Sequence, residues 1–316
     1  MSPTEWQSRY TGCLLGLAVG DALGTTLEFQ SPGSFKPITD MVGGGPFHLE
    51  PGQWTDDTSM ALCLAESLIE YRGFDPVDQL TRYCRWYREG HLSSTGRCFD
   101  IGNTVRAAVE RFEQTGERYP GSTDPRSAGN GSLMLLAAVP LFFAQHPQEA
   151  ITRAADSSRT THGVREAVDA CRYFAGLLVG ILQGRSKDEL LSQSFSPVSG
   201  LWEAAPLSPK IRAIAAGSFK QKEPPAIRGT GYVADCPEAA LWAFHRSHSF
   251  GEGALLAVNL GDDADTTGAV YGQLAGAFYG EQGVPTDWVT RLAQKYLIAR
   301  YAEDLFRLSC DPERER

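Results

Sequence analysis

Gly12, Gly16, Gly20 and Gly24 recur at every fourth position of an otherwise apolar stretch, and Gly268, Gly272, Gly276 and Gly280 repeat that spacing near the other end of the chain. Residues four apart lie on one face of an α-helix, so each set lays a groove of bare backbone along its helix. An interior glycine weakens a helix by about 1 kcal/mol relative to alanine. Something must offset that cost, and a second helix packed at very short distance does so. The two sets are therefore expected to lie face to face, joining the two ends of the chain. Ser2-Pro3-Thr4-Glu5 reads as a capping box with proline at the first helical position. The first helix is expected to run from there to about Gly24, burying Trp6, Tyr10, Cys13, Leu14 and Leu17.

The remaining periodicity is also helical. Apolar residues at helical spacing predict helices over 59–71, 76–89, 105–114, 133–143, 164–182, 237–247, 267–280 and 287–308. No run alternates as a half-buried strand would. Residues 30–53 are rich in glycine and proline and predict an irregular loop. Residues 184–236 loosen into serine, proline and glycine around one helical piece at 208–218, which reads as a surface excursion within one domain spanning 1–316. The expected fold class is all-α.

Two acidic stretches open apolar helices. Asn259-Leu-Gly-Asp-Asp-Ala-Asp-Thr-Thr-Gly268 sets Asp262, Asp263 and Asp265 within four positions, with Thr266 and Thr267 behind them. Trp54-Thr-Asp-Asp-Thr58 repeats the chemistry with Thr55, Asp56, Asp57 and Thr58. Crowded carboxylates raise one another's pKa unless a cation sits among them. One such stretch reads equally well as a helix start, where Asp and Thr cap free amides. Two of them look like halves of one hard-cation site, and oxygen-only ligands favour magnesium, manganese or calcium over zinc.

Three further turns have the same form, glycines and oxygen-bearing side chains at the mouth of an apolar helix: 96–104, 127–132 and 157–163. Small residues there offer bare amides to a diphosphate or a ribose hydroxyl, or form ordinary loops. Asp100 either caps its turn or faces a ligand. His162 reads as a capping or core histidine, and Glu28, beside the 30–53 loop, as a solvent-facing glutamate. Helix mouths gathered at one end of a bundle would surround a single cleft.

The formal charge of −9 speaks against non-specific binding to nucleic acid or membrane, which favours basic surfaces. It leaves an anionic ligand open, because a bound metal reverses the local potential. Seven cysteines with no Cys-x-x-Cys pair fit a reducing compartment. Residues 1–10 are polar, without the apolar core of a signal peptide, and the longest apolar run, 133–144, is too short to span a bilayer. A soluble, cytoplasmic protein is expected.

Taken together, Gly20-Asp-Ala-Leu-Gly24 with Glu28, Trp54-Thr-Asp-Asp-Thr58, Phe99-Asp-Ile-Gly-Asn-Thr104, Gly129-Asn-Gly131, Ser158-Arg-Thr-Thr-His162 and Leu260-Gly-Asp-Asp-Ala-Asp-Thr-Thr267 resemble the ADP-ribosylglycohydrolases, in order, from about Thr11 to Gly280. The resemblance implies an orthogonal helical bundle with a binuclear magnesium cleft, sometimes occupied by manganese. By position, Thr55, Asp56, Asp57, Asp263, Asp265 and Thr266 would be the metal ligands. Asp262 stands where family members often have glycine and is left out of that set. Glu28 matches a flap glutamate that covers the site, and Asp100 an acidic residue that assists catalysis in one branch. Ser127, Gly129, Asn130 and His162 match positions that cradle ADP-ribose.

Asp56, Asp57 and Asp263 are also candidates for the proton-transferring carboxylate. Met134 is followed by Leu135 where many relatives read Met-Arg. The implied activity is metal-dependent hydrolysis of the bond between ADP-ribose and an acceptor, with an arginine side chain of a modified protein favoured. The alternatives are a serine-linked, O-acyl or nucleobase conjugate, or a non-catalytic ADP-ribose-binding relative.

Overall fold

A computed structural model describes residues 2–311. Among these, ten helices reach nine residues or more: α1 (Pro3–Gly24), α2 (Asp56–Tyr71), α3 (Pro76–Glu89), α4 (Asn103–Thr115), α5 (Pro147–Thr161), α6 (Arg165–Leu182), α7 (Asp235–Arg246), α8 (Phe250–Val258), α9 (Ala264–Tyr279) and α10 (Lys295–Ser309). Among the described residues, extended pairing is confined to isolated bridges such as Gly44 with Leu49 and Gly129 with Tyr232. The fold is all-α, and no helix among the described residues is long and apolar enough to cross a membrane.

The glycine faces meet as expected. α1 and α9 run antiparallel, with Gly12 opposite Gly276, Gly16 opposite Gly272 and Gly20 opposite Gly268. A β-carbon on Gly16 would lie 2.3 Å from the Gly272 carbonyl oxygen, and one on Gly24 would lie 2.3 Å from that of Ala264. Backbone therefore rests on backbone along four turns. Gly280 is the residue that closes α9, with a φ of 72°, and its carbonyl carbon would lie 2.6 Å from a β-carbon on Gly12. The N-terminal capping box is formed, with the Ser2 and Glu5 side chains each accepting from the other's backbone N–H at 3.2 and 2.7 Å.

Elsewhere the boundaries shift for identifiable reasons. Residues 133–137 are turns rather than helix; regular hydrogen bonding begins at Ala138–Phe142. Pro140 has no N–H to give Leu136, whose carbonyl accepts from Val139 instead. The side chain of Gln273 on α9 donates to the carbonyls of Leu133 and Met134 at 3.2 and 2.6 Å. Residues 157–161 form no loop: they are the last turn of α5, whose buried stripe of Ala150, Ile151, Ala154 and Ala155 is mostly too small to show as hydrophobic periodicity.

The stretch 184–236 does not skim the surface. Leu190, Leu207, Ile211, Ile214, Phe219 and Val233 join the core, and Arg228, Thr230 and Gly231 reach the cavity described below. Its apolar residues are spaced irregularly because its helical pieces are at most seven residues long.

Candidate metal centre and its cavity

The centre forms where α1, α2 and α9 converge. Asp21, on the last turn of α1, is fully buried and saturated. Its Oδ1 accepts from the Thr55 N–H (2.8 Å) and hydroxyl (3.0 Å); its Oδ2 accepts from the Thr58 N–H (3.0 Å) and hydroxyl (2.6 Å). Asp21 thereby caps the start of α2 and fixes the rotamer of Thr55. Gly24 performs the matching task for α9, since a β-carbon there would lie 2.4 Å from the Cα of Asp265.

Thr55 Oγ1 also lies 3.2 Å from Asp57 Oδ2 and 3.1 Å from Asp265 Oδ2. One hydroxyl proton thus faces three carboxylate oxygens and satisfies only one. The remaining oxygens Asp57 Oδ1, Asp265 Oδ1 and Glu28 Oε2 are buried without any partner. Unpaired buried acceptors are costly, and carboxylates more so.

Two triads result. One oxygen each from Asp21, Asp57 and Asp265 lies within 4.8 Å of the others, and the same holds for Glu28, Asp100 and Asp265. Asp265 belongs to both. Burial first, and neighbouring carboxylates second, push Asp56, Asp57 and Asp265 well above the usual carboxylate range. Asp100 is raised to about 7 by burial and by Asp263. Glu28 is raised to about 10 by burial and by Asp100, Asp263 and Asp57. All-oxygen donors, partnerless buried oxygens and a shared carboxylate suit a pair of hard divalent cations.

Glu28 is therefore no solvent-facing residue: it is 2% exposed and turned inward. The single helical turn Thr25–Leu27 that continues α1 aims it at the centre. Asp56, Asp263, Asp265 and Thr266 line the cavity floor, while Thr55 and Asp57 lie buried beneath it.

The cavity measures about 700 Å³. One wall is the 129–131 turn, where Asn130 Nδ2 donates to Asp263 Oδ2 at 2.6 Å and the Asn130 N–H donates to the Gly231 carbonyl at 3.1 Å. Gly129 and Gly131 leave room for the His162 ring, whose atoms a β-carbon would meet at 3.3 and 3.0 Å. Burial lowers His162 to about 4, so the imidazole is neutral, and its Nδ1 pairs with Thr161 Oγ1 at 3.0 Å. Ser127 stands apart: it does not line the cavity, and its hydroxyl closes a local turn on the Asp124 carbonyl at 2.7 Å. Leu135 is buried in the core, while Met134 faces the cavity.

Sequence reasoning missed two contributors. Asp21 sits on a glycine face and carries no local acidic signal, although an aspartate buried opposite a Thr-Asp-Asp-Thr start has few roles besides holding it. Arg228, Thr230 and Gly231 come from the loosely patterned segment and become visible only when Gly229 accepts from the Asp263 N–H at 2.8 Å.

Comparisons with known proteins agree with this geometry. The family model for ADP-ribosylglycohydrolase matches residues 2–315. The ADP-ribosylarginine hydrolase Tri1 of Pseudomonas putida (strain GB-1) is 44% identical over 306 residues, covering 97% of this chain and 80% of that protein. The ADP-ribosyl dinitrogen reductase glycohydrolase of Rhodospirillum rubrum is 32% identical over 302 residues, covering 93% and 94%. A chain from a solved ADP-ribosylglycohydrolase-related protein complex superposes with a TM-score of 0.85 at 46% identity, covering 97% of this chain and 99% of that one. Helical fold, acidic centre and full-length similarity converge: this chain belongs to the ADP-ribosylglycohydrolase family and is a hydrolase.

Proposed function

We propose that this chain removes ADP-ribose from arginine side chains of modified proteins, with two magnesium or manganese ions held by Thr55, Asp56, Asp57, Asp263, Asp265 and Thr266. The observation that carries the proposal is Asp265, shared by two carboxylate triads at the floor of a cavity of about 700 Å³. The similar Pseudomonas protein is an ADP-ribosylarginine hydrolase, which supports arginine as acceptor. Bound cations at such a site would hold vicinal ribose hydroxyls and lower the pKa of a water molecule.

The chain's own residues supply the rest. Burial and mutual repulsion raise both Glu28 and Asp100, and in the proposed acid–base pair one of them is ionised and the other protonated. Hydrolysis breaks the bond from the anomeric carbon to nitrogen through an oxocarbenium-like state, the electron pair leaving with the guanidine. Water adds to the carbon. The ionised member of the pair is placed to take its proton, and the protonated member to supply one to the departing nitrogen. Asn130 fixes the orientation of Asp263, and Asp21 that of Thr55. Neutral His162 offers a polar edge in the wall without adding charge. Residues of the 129–131 and 228–231 turns are the proposed cradle for the diphosphate and ribose.

The test is release of free ADP-ribose from arginine-linked and serine-linked peptides, with magnesium and with EDTA, for wild type and Asp265→Asn. Magnesium-dependent release from the arginine-linked peptide, lost in Asp265→Asn, is expected. Full activity in EDTA, or in Asp265→Asn, refutes the assignment of the centre.

A further inference from the structure

Phe29 contradicts its surroundings in two ways. Its backbone is left-handed, with φ of 62°, a region where a bulky non-glycine residue is an outlier. Its side chain is 68% exposed, so burial does not offset the strain. Asp100 and Asp262 also have positive φ, of 60° and 55°. For aspartate, however, that conformation is readily tolerated. The Phe29 backbone is pinned: its N–H donates to the Asp262 carbonyl at 2.7 Å, and the Asp262 N–H donates to the Gln30 carbonyl at 2.7 Å. Glycine or asparagine would satisfy the same backbone with less strain. Folding therefore does not call for a phenyl ring here. Strain of this kind concentrates where a side chain must be presented.

What the ring faces is the cavity mouth. Phe29 lines it directly after the inward-turned Glu28. Phe47 stands behind it at 6.5 Å between ring centroids, and Phe99, which precedes Asp100, follows at 5.2 Å from Phe47. Of these rings Phe29 alone lines the cavity, beside the carboxylates of Glu28, Asp100 and Asp262. The one guanidinium among the cavity residues, that of Arg228, already pairs with Asp262 at 2.9 Å. Glu28 and Asp100 have no cationic partner. An aromatic face beside carboxylates attracts a planar, weakly hydrated cation. Arginine carries such a cation and serine does not.

We infer that Phe29 is a specificity-determining residue that holds the guanidinium of the acceptor at the cavity mouth, backed by Phe47 and flanked by Glu28 and Asp100. The inference rests on the proposed hydrolysis of ADP-ribose conjugates and names the chemistry that selects among them.

The test compares wild type, Phe29→Ala, Phe29→Asn and Phe29→Tyr. Each is assayed for kcat/KM on an arginine-linked ADP-ribosyl peptide, for the Kd of free ADP-ribose by calorimetry, and for inhibition by arginine amide. Phe29→Ala and Phe29→Asn are expected to lose about tenfold in kcat/KM on the arginine-linked peptide, in the range of a desolvated cation–π contact. Inhibition by arginine amide should weaken in parallel, while the Kd of ADP-ribose stays unchanged and the melting temperature of Phe29→Asn is no lower than that of wild type, since asparagine relieves the left-handed strain. Phe29→Tyr should retain wild-type behaviour. With an active wild type, no change in Phe29→Ala and Phe29→Asn, or an equal loss of ADP-ribose affinity, overturns the inference alone. A wild type that releases nothing from the arginine-linked peptide overturns the functional proposal along with it.

Discussion

Alanine at Gly16 is the smallest change that tests whether backbone contact between α1 and α9 organises the molecule. The added β-carbon would lie 2.3 Å from the Gly272 carbonyl oxygen, against the 3.4 Å where ordinary contact begins. It would also lie 3.0 Å from the Gly276 Cα and from a ring carbon of Phe250. Nothing on the backbone side can rotate away, so the helices must part by about 1 Å, a gap that forfeits a quarter to a half of each dispersion contact it opens. Overpacking of this kind costs about 1–3 kcal/mol, and a contact made of backbone belongs at the upper end. Helix propensity returns about 1 kcal/mol. The net loss is about 2 kcal/mol, or about 3 °C in melting temperature at roughly 2.1 cal/mol/K per residue.

Thermal unfolding followed by circular dichroism at 222 nm measures it. Gly73→Ala is the control, because its β-carbon would meet only Tyr71 Cδ1, at 3.8 Å. Should Gly16→Ala melt with the wild type and with Gly73→Ala, the close packing is not what secures the two ends. The Gly16 substitution also reaches the centre, since parting the helices carries Asp21 away from Thr55 and Asp265. Metal-dependent activity should therefore fall below what the lost folded fraction explains.

Two further predictions concern the centre itself. Asp21→Asn keeps shape but offers one acceptor oxygen where two each accept a pair of hydrogen bonds; magnesium affinity, read by calorimetry, should drop about 10- to 100-fold, as for other groups that orient ligands, and an unchanged affinity would show that Thr55 is held by something else. The second prediction is a pH dependence of the apo protein. Its buried carboxylates have folded-state pKa values raised above their unfolded values, Asp21 to about 6 and Asp100 to about 7. The native state therefore binds more protons than the unfolded state, and these groups' contribution to stability is lost as pH rises from about 4 to about 7. Saturating magnesium should remove most of that slope, so the gain in melting temperature on adding magnesium should grow with pH; a gain independent of pH would contradict the acidic origin of the instability.

Legibility in the sequence followed the kind of interaction. The glycine faces could be read because a four-residue period is a property of the chain itself, and they predicted a contact between residues more than 240 positions apart. That the Thr55–Asp57 and Asp263–Thr266 stretches meet could be anticipated because each acidic group is contiguous. Asp21 could not, since its role consists of four hydrogen bonds to another segment. Glu28 looked like an ordinary polar residue because its burial depends on the single helical turn that ends at Leu27. Helix α5 escaped notice because its inner face is largely alanine, with buried serines and threonines toward its C-terminal end. The cavity wall at 228–231 was hidden by its composition, which resembles that of a linker.

The pairing of α1 with α9 also sets a timetable for synthesis. Gly20 leaves the ribosome 248 residues ahead of Gly268, the residue it packs against. At about 5–20 residues per second, α1 waits roughly 12–50 s for its partner. During that interval a helix weakened by four glycines exposes Leu14, Leu17, Val19 and Leu23, all of which end in the core. Those residues are then available to chaperones or to neighbouring nascent chains. The last large helix but one completes both the fold and the acidic centre, so a chain halted before residue 264 carries neither.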